Sequence, residues 1–264
     1  MLTEAKNQIK ISILSIKYAV MKEMLNKATF ISNVLFMILN NASFIVQWII
    51  LFSIKDNIAG YDIKQVLLLW GLASGTYGIS HFFFKKAYSL YDTINNGKLD
   101  AFLVQPKNVL LSAITTDVET SAIGDILYAY IILFIYGCSL PRFLLFTLFI
   151  ITGGIMLTAI TVILSSLSFW LNRSDIITET VISMITHFAT YPDGIFKGIT
   201  KIILYTIIPV GIMNYIPIHI LKEFDAKLLL LVIAVTIGLT ALAFLIFNKG
   251  LKRYSSSNLM SARI

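Results

Sequence analysis

The stretch TFISNVLFMILNNASFIVQWIILFSI, residues 29–54, decides the class of the fold, because it carries no charged side chain over its whole length. About 20 apolar residues in an α-helix cross the roughly 30 Å hydrocarbon core of a bilayer. The stretch is therefore predicted to be a membrane-spanning helix. The rest of the chain has the same character, with 57% hydrophobic and only 13% charged residues among 264. Together with a mean hydropathy of +0.82, this composition predicts an all-α integral membrane protein.

Five further segments are predicted to be spans, which makes six transmembrane helices. In chain order they are roughly residues 63–84, 121–137, 143–170, 179–191 and 228–247. Between the fifth and the sixth span the apolar pattern is interrupted by YPDGIFKG and by Pro209 and Pro217. Irregular backbone at membrane depth is tolerated only where protein or a water-filled cavity covers it. We therefore expect broken re-entrant or extracellular helices between spans 5 and 6.

The distribution of basic residues sets the orientation, because cytoplasmic loops are enriched in Lys and Arg. Six spans with both termini cytoplasmic place 14 of the 21 Lys and Arg residues on the cytoplasmic side. A seventh crossing would put the basic C-terminal tail, with Arg263, outside. The net charge of +7 is thus a topology signal and does not indicate a nucleic-acid partner. We predict a multi-pass protein of the cell membrane whose surroundings are the lipid bilayer.

The chain is predicted to form a single transmembrane permease domain over residues 1–264. Residues 1–28 form a cytoplasmic leader in which Ile9 and Ile13 recur at helical spacing, offset from Lys10 and Lys17. This pattern is typical of an amphipathic helix at the membrane interface. A solvated leader that only obeys the charge rule is the alternative.

No residue pattern for catalysis is present in the chain. It contains no phosphate-binding loop, no zinc-binding HExxH helix and no GxSxG nucleophile elbow. The three histidines are scattered without carboxylates at ligand spacing, and there is one cysteine. We predict no catalytic, cofactor-binding or metal-binding residue, and hence no enzyme.

Asp125 and Glu179 are possible functional charges within the membrane. Ionisable residues at membrane depth are costly and often functional. Asp125, however, lies a few residues from the cytoplasmic end of span 3, which favours solvation at the interface over a functional role. Glu179, near the start of span 5, has the same ambiguity.

The segment between spans 2 and 3, residues 85–110, is much longer than a connector needs to be. Asn96 and Gly97 predict a turn or helix stop, and Leu99 and Leu103 form a short apolar face beyond it. This face packs either on a partner protein or on the ends of the chain's own spans.

Three motifs carry a resemblance to a known family. They are GKLDAFLVQP at residues 97–106, YPDGIF at 191–196 and IIP at 207–209. In this order, after a leader and two spans, they resemble the six-span permeases of type-two ABC exporters. The similarity extends over nearly the whole chain.

The resemblance implies a permease that lacks its own nucleotide-binding domain and works with a cytosolic ABC ATPase subunit, which would bind ATP and Mg. It also implies a second permease copy or a paralogous permease. The cytoplasmic coupling loop, residues 85–110, would contact the ATPase through Asn96, Gly97, Lys98, Leu99, Asp100, Leu103 and Pro106. Residues 191–227 would form an outer gate that includes Tyr191, Pro192, Phe196 and Pro209.

Other functions remain open at this stage. An ion-coupled secondary transporter would use Asp125 or Glu179 and need no nucleotide. A self-assembling membrane protein would need no ATPase, and an intramembrane enzyme would need convergent polar side chains beyond Asp125. For a transporter, the cargo could be an amphipathic drug, peptide or lipid.

Overall fold

The computed structural model describes residues 2–255, so Arg263 of the predicted cytoplasmic tail lies outside the described residues. Within this range the chain is helical and contains no strand. The helices are α1 (Leu2–Glu23), α2 (Lys27–Ile54), α3 (Ile63–Phe84), α4 (Leu90–Asn95), α5 (Asp100–Leu103), α6 (Val109–Ile114), α7 (Ala122–Tyr136), α8 (Leu140–Ser166), α9 (Ser174–Phe188), α10 (Gly198–Thr206), α11 (Ile216–Lys222) and α12 (Ala226–Leu251).

Four helical segments between residues 2 and 255 are long and apolar enough to cross a membrane. They are α2, the run Ile63–Asn95 that begins with α3, the run Leu140–Phe169 that begins with α8, and α12. The helices of 198–206 and 211–222 meet at a bend of 75° and count as a fifth span if they are taken as one. The protein is therefore a membrane protein with four or five candidate spans.

The ends of the long helices follow from local capping groups. Asp62 begins α3 with a capping box, since its side chain accepts from the Gln65 backbone N–H and the Gln65 side chain accepts from the Asp62 N–H. Asp225 is the N-cap of α12, and its side chain accepts from the Lys227 N–H over 2.7 Å. Gly137 ends α7 at a φ of +119°, a backbone conformation that residues other than glycine rarely adopt.

Helix α3 lies at the centre of the bundle and packs against α7 and α8, while α2 packs on α7 and α12 on α8. Small residues allow these close approaches. A Cβ added to Gly75 of α3 would lie 2.7 Å from the Ile150 side chain of α8. A Cβ added to Gly71 would lie 3.0 Å from Ile132 of α7.

The segment that joins α3 to α7 folds back onto the bundle. Leu90, Ile94 and Leu99 are buried in one apolar cluster together with Ala243 and Phe247 of α12. Of the predicted apolar face, Leu99 therefore packs within the chain's own apolar cluster, whereas Leu103 is exposed.

Candidate functional site

A cavity of about 360 Å³ lies among α2, α3, α7, α8, the end of α9 and the segment that follows α9. Its wall combines apolar rings, amides, hydroxyls and one carboxylate, that of Asp125. Tyr191, predicted for the outer gate, also lines it, together with Asn214 of the π-helical segment Gly211–Tyr215. The volume is at the lower end of the range of about 300–1,000 Å³ that is typical of small-molecule sites.

Asp125 is buried at the wall of this cavity, with an exposed fraction of 3%. The Asn41 amide Nδ2 donates to its Oδ1 over 2.6 Å. The Ser74 hydroxyl donates to the Asp125 backbone carbonyl over 3.0 Å and lies 3.3 Å from Oδ1. The prediction that solvent at the interface surrounds Asp125 is therefore wrong, because its neighbours are α2 and α3.

The glycine before Asp125 explains this burial. A Cβ added to Gly124 would lie 2.5 Å from the backbone oxygen of Val34 in α2. A Cβ added to Gly78 of α3 would lie 3.0 Å from the backbone oxygen of Ala122. The first turn of α7 thus fits tightly between α2 and α3, and the close contact removes water from the next side chain.

Several residues that line the cavity have polar side-chain atoms without a hydrogen-bond partner. Among the described residues, six buried side-chain nitrogen or oxygen atoms are unpartnered, and five of them belong to residues that line the cavity. These five are Trp70 Nε1, Thr76 Oγ1, Asp125 Oδ2, Asn214 Nδ2 and Asn214 Oδ1. Because more than nine in ten buried polar groups in proteins are hydrogen-bonded, such a concentration makes this cavity the candidate functional site.

Aromatic rings form much of the remaining wall. The rings of Phe44 and Trp70 have centroids 5.1 Å apart. Tyr191 has an exposed fraction of 40%, and its ring lies 5.8 Å from that of Trp48. The cavity therefore has an apolar, aromatic side and a polar side with Asp125.

The other residues predicted for the outer gate, Pro192, Phe196 and Pro209, are not among the residues that line this cavity. Pro192 and Pro209 are buried, and Pro209 stands between the two helices that meet at the 75° bend. The ring of Phe196 packs edge-on against Phe188 at 5.4 Å.

A second carboxylate in this segment, Asp193, organises a group that sequence patterns did not reveal. We call Tyr61, Asp193, Lys201 and Tyr205 the aspartate cluster. The hydroxyls of Tyr61 and Tyr205 donate to the two carboxylate oxygens over 3.0 and 3.1 Å, and Lys201 Nζ lies 2.9 Å from Oδ2. Tyr61 and Asp193 are 132 positions apart, so no local spacing indicates the contact.

The aspartate cluster favours the ionised form of its carboxyl group. Burial opposes ionisation, but the hydrogen bonds from Lys201 and Tyr61 outweigh it, so the pKa of Asp193 lies below its ordinary value. Burial, and then the neighbouring Asp193 charge, raises the pKa of Tyr61 well above the usual range. Asp193 is thus a carboxylate whose partners are already in place.

The predicted coupling loop has an exposed face that carries both polar and apolar side chains. Gly97, at a φ of +69°, and Leu99 are buried, so Leu99 contributes to the packing of the loop and not to its outer surface. The remaining predicted contact residues are exposed: Asn96, Lys98, Asp100, Leu103 and Pro106. Val104, which no sequence pattern indicated, is the most exposed apolar side chain of the loop, with an exposed fraction of 84%.

Polar contacts hold the loop to the rest of the chain. Lys98 Nζ lies 2.8 Å from Asp92 Oδ2, and the Tyr254 hydroxyl donates to Asp100 Oδ1 over 2.9 Å. Burial and the hydrogen bond to Asp100 raise the pKa of Tyr254 to about 12. The Gln8 side chain of α1 accepts from the Asn108 N–H over 2.9 Å, which joins the leader to the end of the loop.

Glu179 lies away from the cavity, on the exposed side of α9. Its Oε1 accepts from the Tyr91 hydroxyl over 2.9 Å, which links α9 to α4. Of the two charges singled out in the sequence, only Asp125 lines the cavity. No group of three or more His, Cys, Asp or Glu that could hold a metal ion occurs between residues 2 and 255.

Comparison with known protein families gives a match over most of the chain. Residues 35–258 match the family described as ABC-2 family transporter protein, a range that includes every residue lining the cavity. Neither the curated proteins nor the solved structures give a match.

Proposed function

The chain belongs to the ABC-2 family of transporter proteins, and from this premise we propose that it is the membrane-spanning subunit of an ATP-driven exporter. In this role it forms the translocation path for an amphipathic substrate and is coupled to a separate cytosolic ABC ATPase. The observation that carries the proposal is the cavity, in which unpartnered polar atoms and aromatic rings line one space among the helices.

The proposed topology has six spans with both termini in the cytoplasm. It counts the four long helical segments together with α7 and α9, each of 15 residues, and treats the bent pair of 198–206 and 211–222 as a re-entrant hairpin of the outer gate. A helix of that length extends about 22 Å, which is short for the hydrocarbon core. The close packing of α7 on α3 supports its place within the bundle.

The exposed face of the coupling loop is proposed as the ATPase contact, from Asn96 to Pro106. The partner ATPase would bind ATP and Mg. Leu99 supports this proposal, because it is buried in the same apolar cluster as Ala243 and Phe247 of α12, and this cluster connects the loop to a long helix. Closure of the two ATPases would shift the permease between inward- and outward-facing states through such contacts.

The remaining partners are proposed from the same premise. A second copy of this chain or a paralogous permease would complete the transporter in the cell membrane. The leader helix would lie on the lipid surface, since Ile9 and Ile13 of α1 are exposed.

The test is recovery of the ATPase. The tagged chain, extracted gently from its native membrane, is expected to bring with it a protein that carries an ATP-binding motif. A variant with Leu103→Ser and Val104→Ser is expected to lose that protein, because both exposed apolar side chains of the loop are removed. Phe224→Ser, which removes an exposed apolar side chain far from the loop, serves as the matched control.

Two outcomes would contradict the proposal. If the wild-type chain brings no ATPase, the exporter role is wrong. If the double variant retains the ATPase as well as the control does, the exporter role stands and the loop is not the contact.

One observation favours a second candidate function. Because Asp125 Oδ2 has no partner, Asp125 could carry a proton or cation in a secondary transporter. Uptake or efflux by the purified chain in vesicles with an ion gradient and no nucleotide would support this function over the exporter.

A further inference from the structure

We propose that the cavity binds an organic cation, with the Asp125 carboxylate as its counter-charge and the rings of Phe44 and Trp70 as its aromatic wall. The inference names the substrate class of the proposed translocation path and so rests on the proposed function.

The charge that the side chains of Asp, Glu, Lys and Arg give to the cavity wall is negative only. Among residues 2–255, Asp125 is the only carboxylate that lines the cavity, and no Lys or Arg lines it. His187 also lines it, but its Nδ1 lies 2.6 Å from the backbone oxygen of Ser183 in its own helix. A cation that enters therefore meets a carboxylate with no Lys or Arg beside it.

Only one of the two carboxylate oxygens of Asp125 has hydrogen-bond partners. Asn41 and Ser74 both approach Oδ1, and Oδ2, which is equally buried, has no partner. An ionised carboxylate that is buried without a positive partner is strongly disfavoured. A cation in the cavity would supply the missing charge at Oδ2.

The chemistry of the wall selects an organic cation over a metal ion. Divalent calcium takes six to eight oxygen ligands and magnesium six, and among the described residues no group of three or more His, Cys, Asp or Glu could hold such an ion. Its aromatic side, where the Phe44 and Trp70 centroids are 5.1 Å apart, suits a cation with an apolar body. The Thr76 hydroxyl and the Asn214 amide add unpartnered groups for polar atoms of such a ligand.

The size of the cavity agrees with this class. A volume of about 360 Å³ holds a molecule of many atoms and far exceeds the space of a single water molecule, about 30 Å³. A proton carrier needs no such space, so the volume itself distinguishes substrate binding from proton binding.

The test uses two probes of nearly the same shape and opposite charge, tetraphenylphosphonium and tetraphenylborate. Binding to the purified full chain in lipid nanodiscs is measured by equilibrium dialysis, with empty nanodiscs subtracted. We expect the wild-type chain to bind the phosphonium and not the borate. Asp125→Asn should weaken phosphonium binding about tenfold or more, because it removes one partner of a buried charge pair. Glu223→Gln, which changes an exposed carboxylate, is the control and should bind as the wild type does.

A second pair of variants guards against misfolding at Asp125. Gln47 lines the cavity but is exposed, so its replacement disturbs no buried contact. Gln47→Lys should weaken phosphonium binding, and Gln47→Glu should strengthen it. Equal binding of both probes, or phosphonium binding that is the same in the wild type and in the Asp125 and Gln47 variants, would overturn the proposal.

The dialysis requires no ATPase, so the two proposals can fail separately. Phosphonium binding without recovery of an ATPase would leave the cation site in place and remove the exporter role. Recovery of an ATPase without phosphonium binding would leave the exporter role and remove the cation site.

Discussion

Asp125 and Asp193 are both carboxylates removed from open solvent, yet their surroundings differ. Asp193 has a partner at each oxygen, from Tyr61, Tyr205 and Lys201. Asp125 has Asn41 and Ser74 at one oxygen and none at the other, and among the described residues no Lys or Arg lines its cavity. A carboxylate whose partners are supplied by the fold stabilises the fold, whereas one that lacks a partner can take it from a ligand.

The difference also separates stability from binding. The aspartate cluster joins the loop after α2 to the segment before α10, so its loss should loosen the fold. The Asp125 carboxylate should instead determine which ligand the cavity binds. Four predictions follow from this contrast, and all use the thermal unfolding midpoint, Tm, of the chain in nanodiscs.

The largest effect is expected from Gly194→Ala, which forces apart the two segments that the aspartate cluster joins. A Cβ at residue 194 would lie 2.1 Å from the backbone oxygen of Ala59, which has no flexible end to move. We expect a loss of about 3 kcal/mol, typical of severe overpacking. The matched control is Gly238→Ala in α12, where an added Cβ meets no atom within 4 Å. An unchanged Tm in Gly194→Ala would mean that the two segments are not held together.

Asp193→Asn should have the next largest effect. The change removes the ion pair with Lys201 and weakens the acceptors of Tyr61 and Tyr205. Hydrogen bonds to charged groups contribute about 2 kcal/mol, so a decrease of that order in the free energy of unfolding is expected. Asp56→Asn, at an exposed carboxylate of the loop after α2, should leave the Tm unchanged. Binding of tetraphenylphosphonium should be unaffected in both variants.

Lowering the pH should reproduce part of the loss of stability that Asp193→Asn causes. Because the folded-state pKa of this carboxyl is lowered, its contribution is present above the ordinary carboxyl pKa of about 4 and is lost as the pH falls through the folded value. The groups that face Asp193 are Lys201, Tyr61 and Tyr205, with Lys222 above the Tyr61 ring. The Tm of the wild type should therefore fall more between pH 6 and pH 3 than that of Asp193→Asn. Parallel pH profiles would show that Asp193 is not the acid-sensitive group.

Much of the fold follows from the sequence because its signals are local. Span 2 was predicted at residues 63–84 and α3 is Ile63–Phe84, since Asp62 supplies the cap and Lys85 and Lys86 end the apolar run. The turn at Asn96 and Gly97 is also local, and Gly97 has the positive φ that such a turn requires. The interrupted pattern after residue 191 became a bent helix pair because prolines cannot continue a helix.

The two carboxylate sites follow from packing, and their partners are far apart in the chain. Asn41 and Asp125 are separated by 84 positions and Tyr61 and Asp193 by 132, so periodicity carries no information about either pair. The distance of Asp125 from the end of its span suggested solvation. The deciding residue was Gly124, whose contact with the α2 backbone could be recognised only once the two helices were placed together.

The smallest expected change in stability is that of Asp125→Asn, and it decides how the comparison is interpreted. Asparagine keeps the Oδ1 acceptor for Asn41 and Ser74 and removes an uncompensated buried charge, which costs free energy. We therefore expect the free energy of unfolding to be unchanged or raised by about 1 kcal/mol, opposite in sign to Asp193→Asn. A decrease as large as that of Asp193→Asn would instead make Asp125 a structural residue. Its effect on phosphonium binding would then report a disturbed fold, and the Gln47 variants alone would carry the test of the cation site.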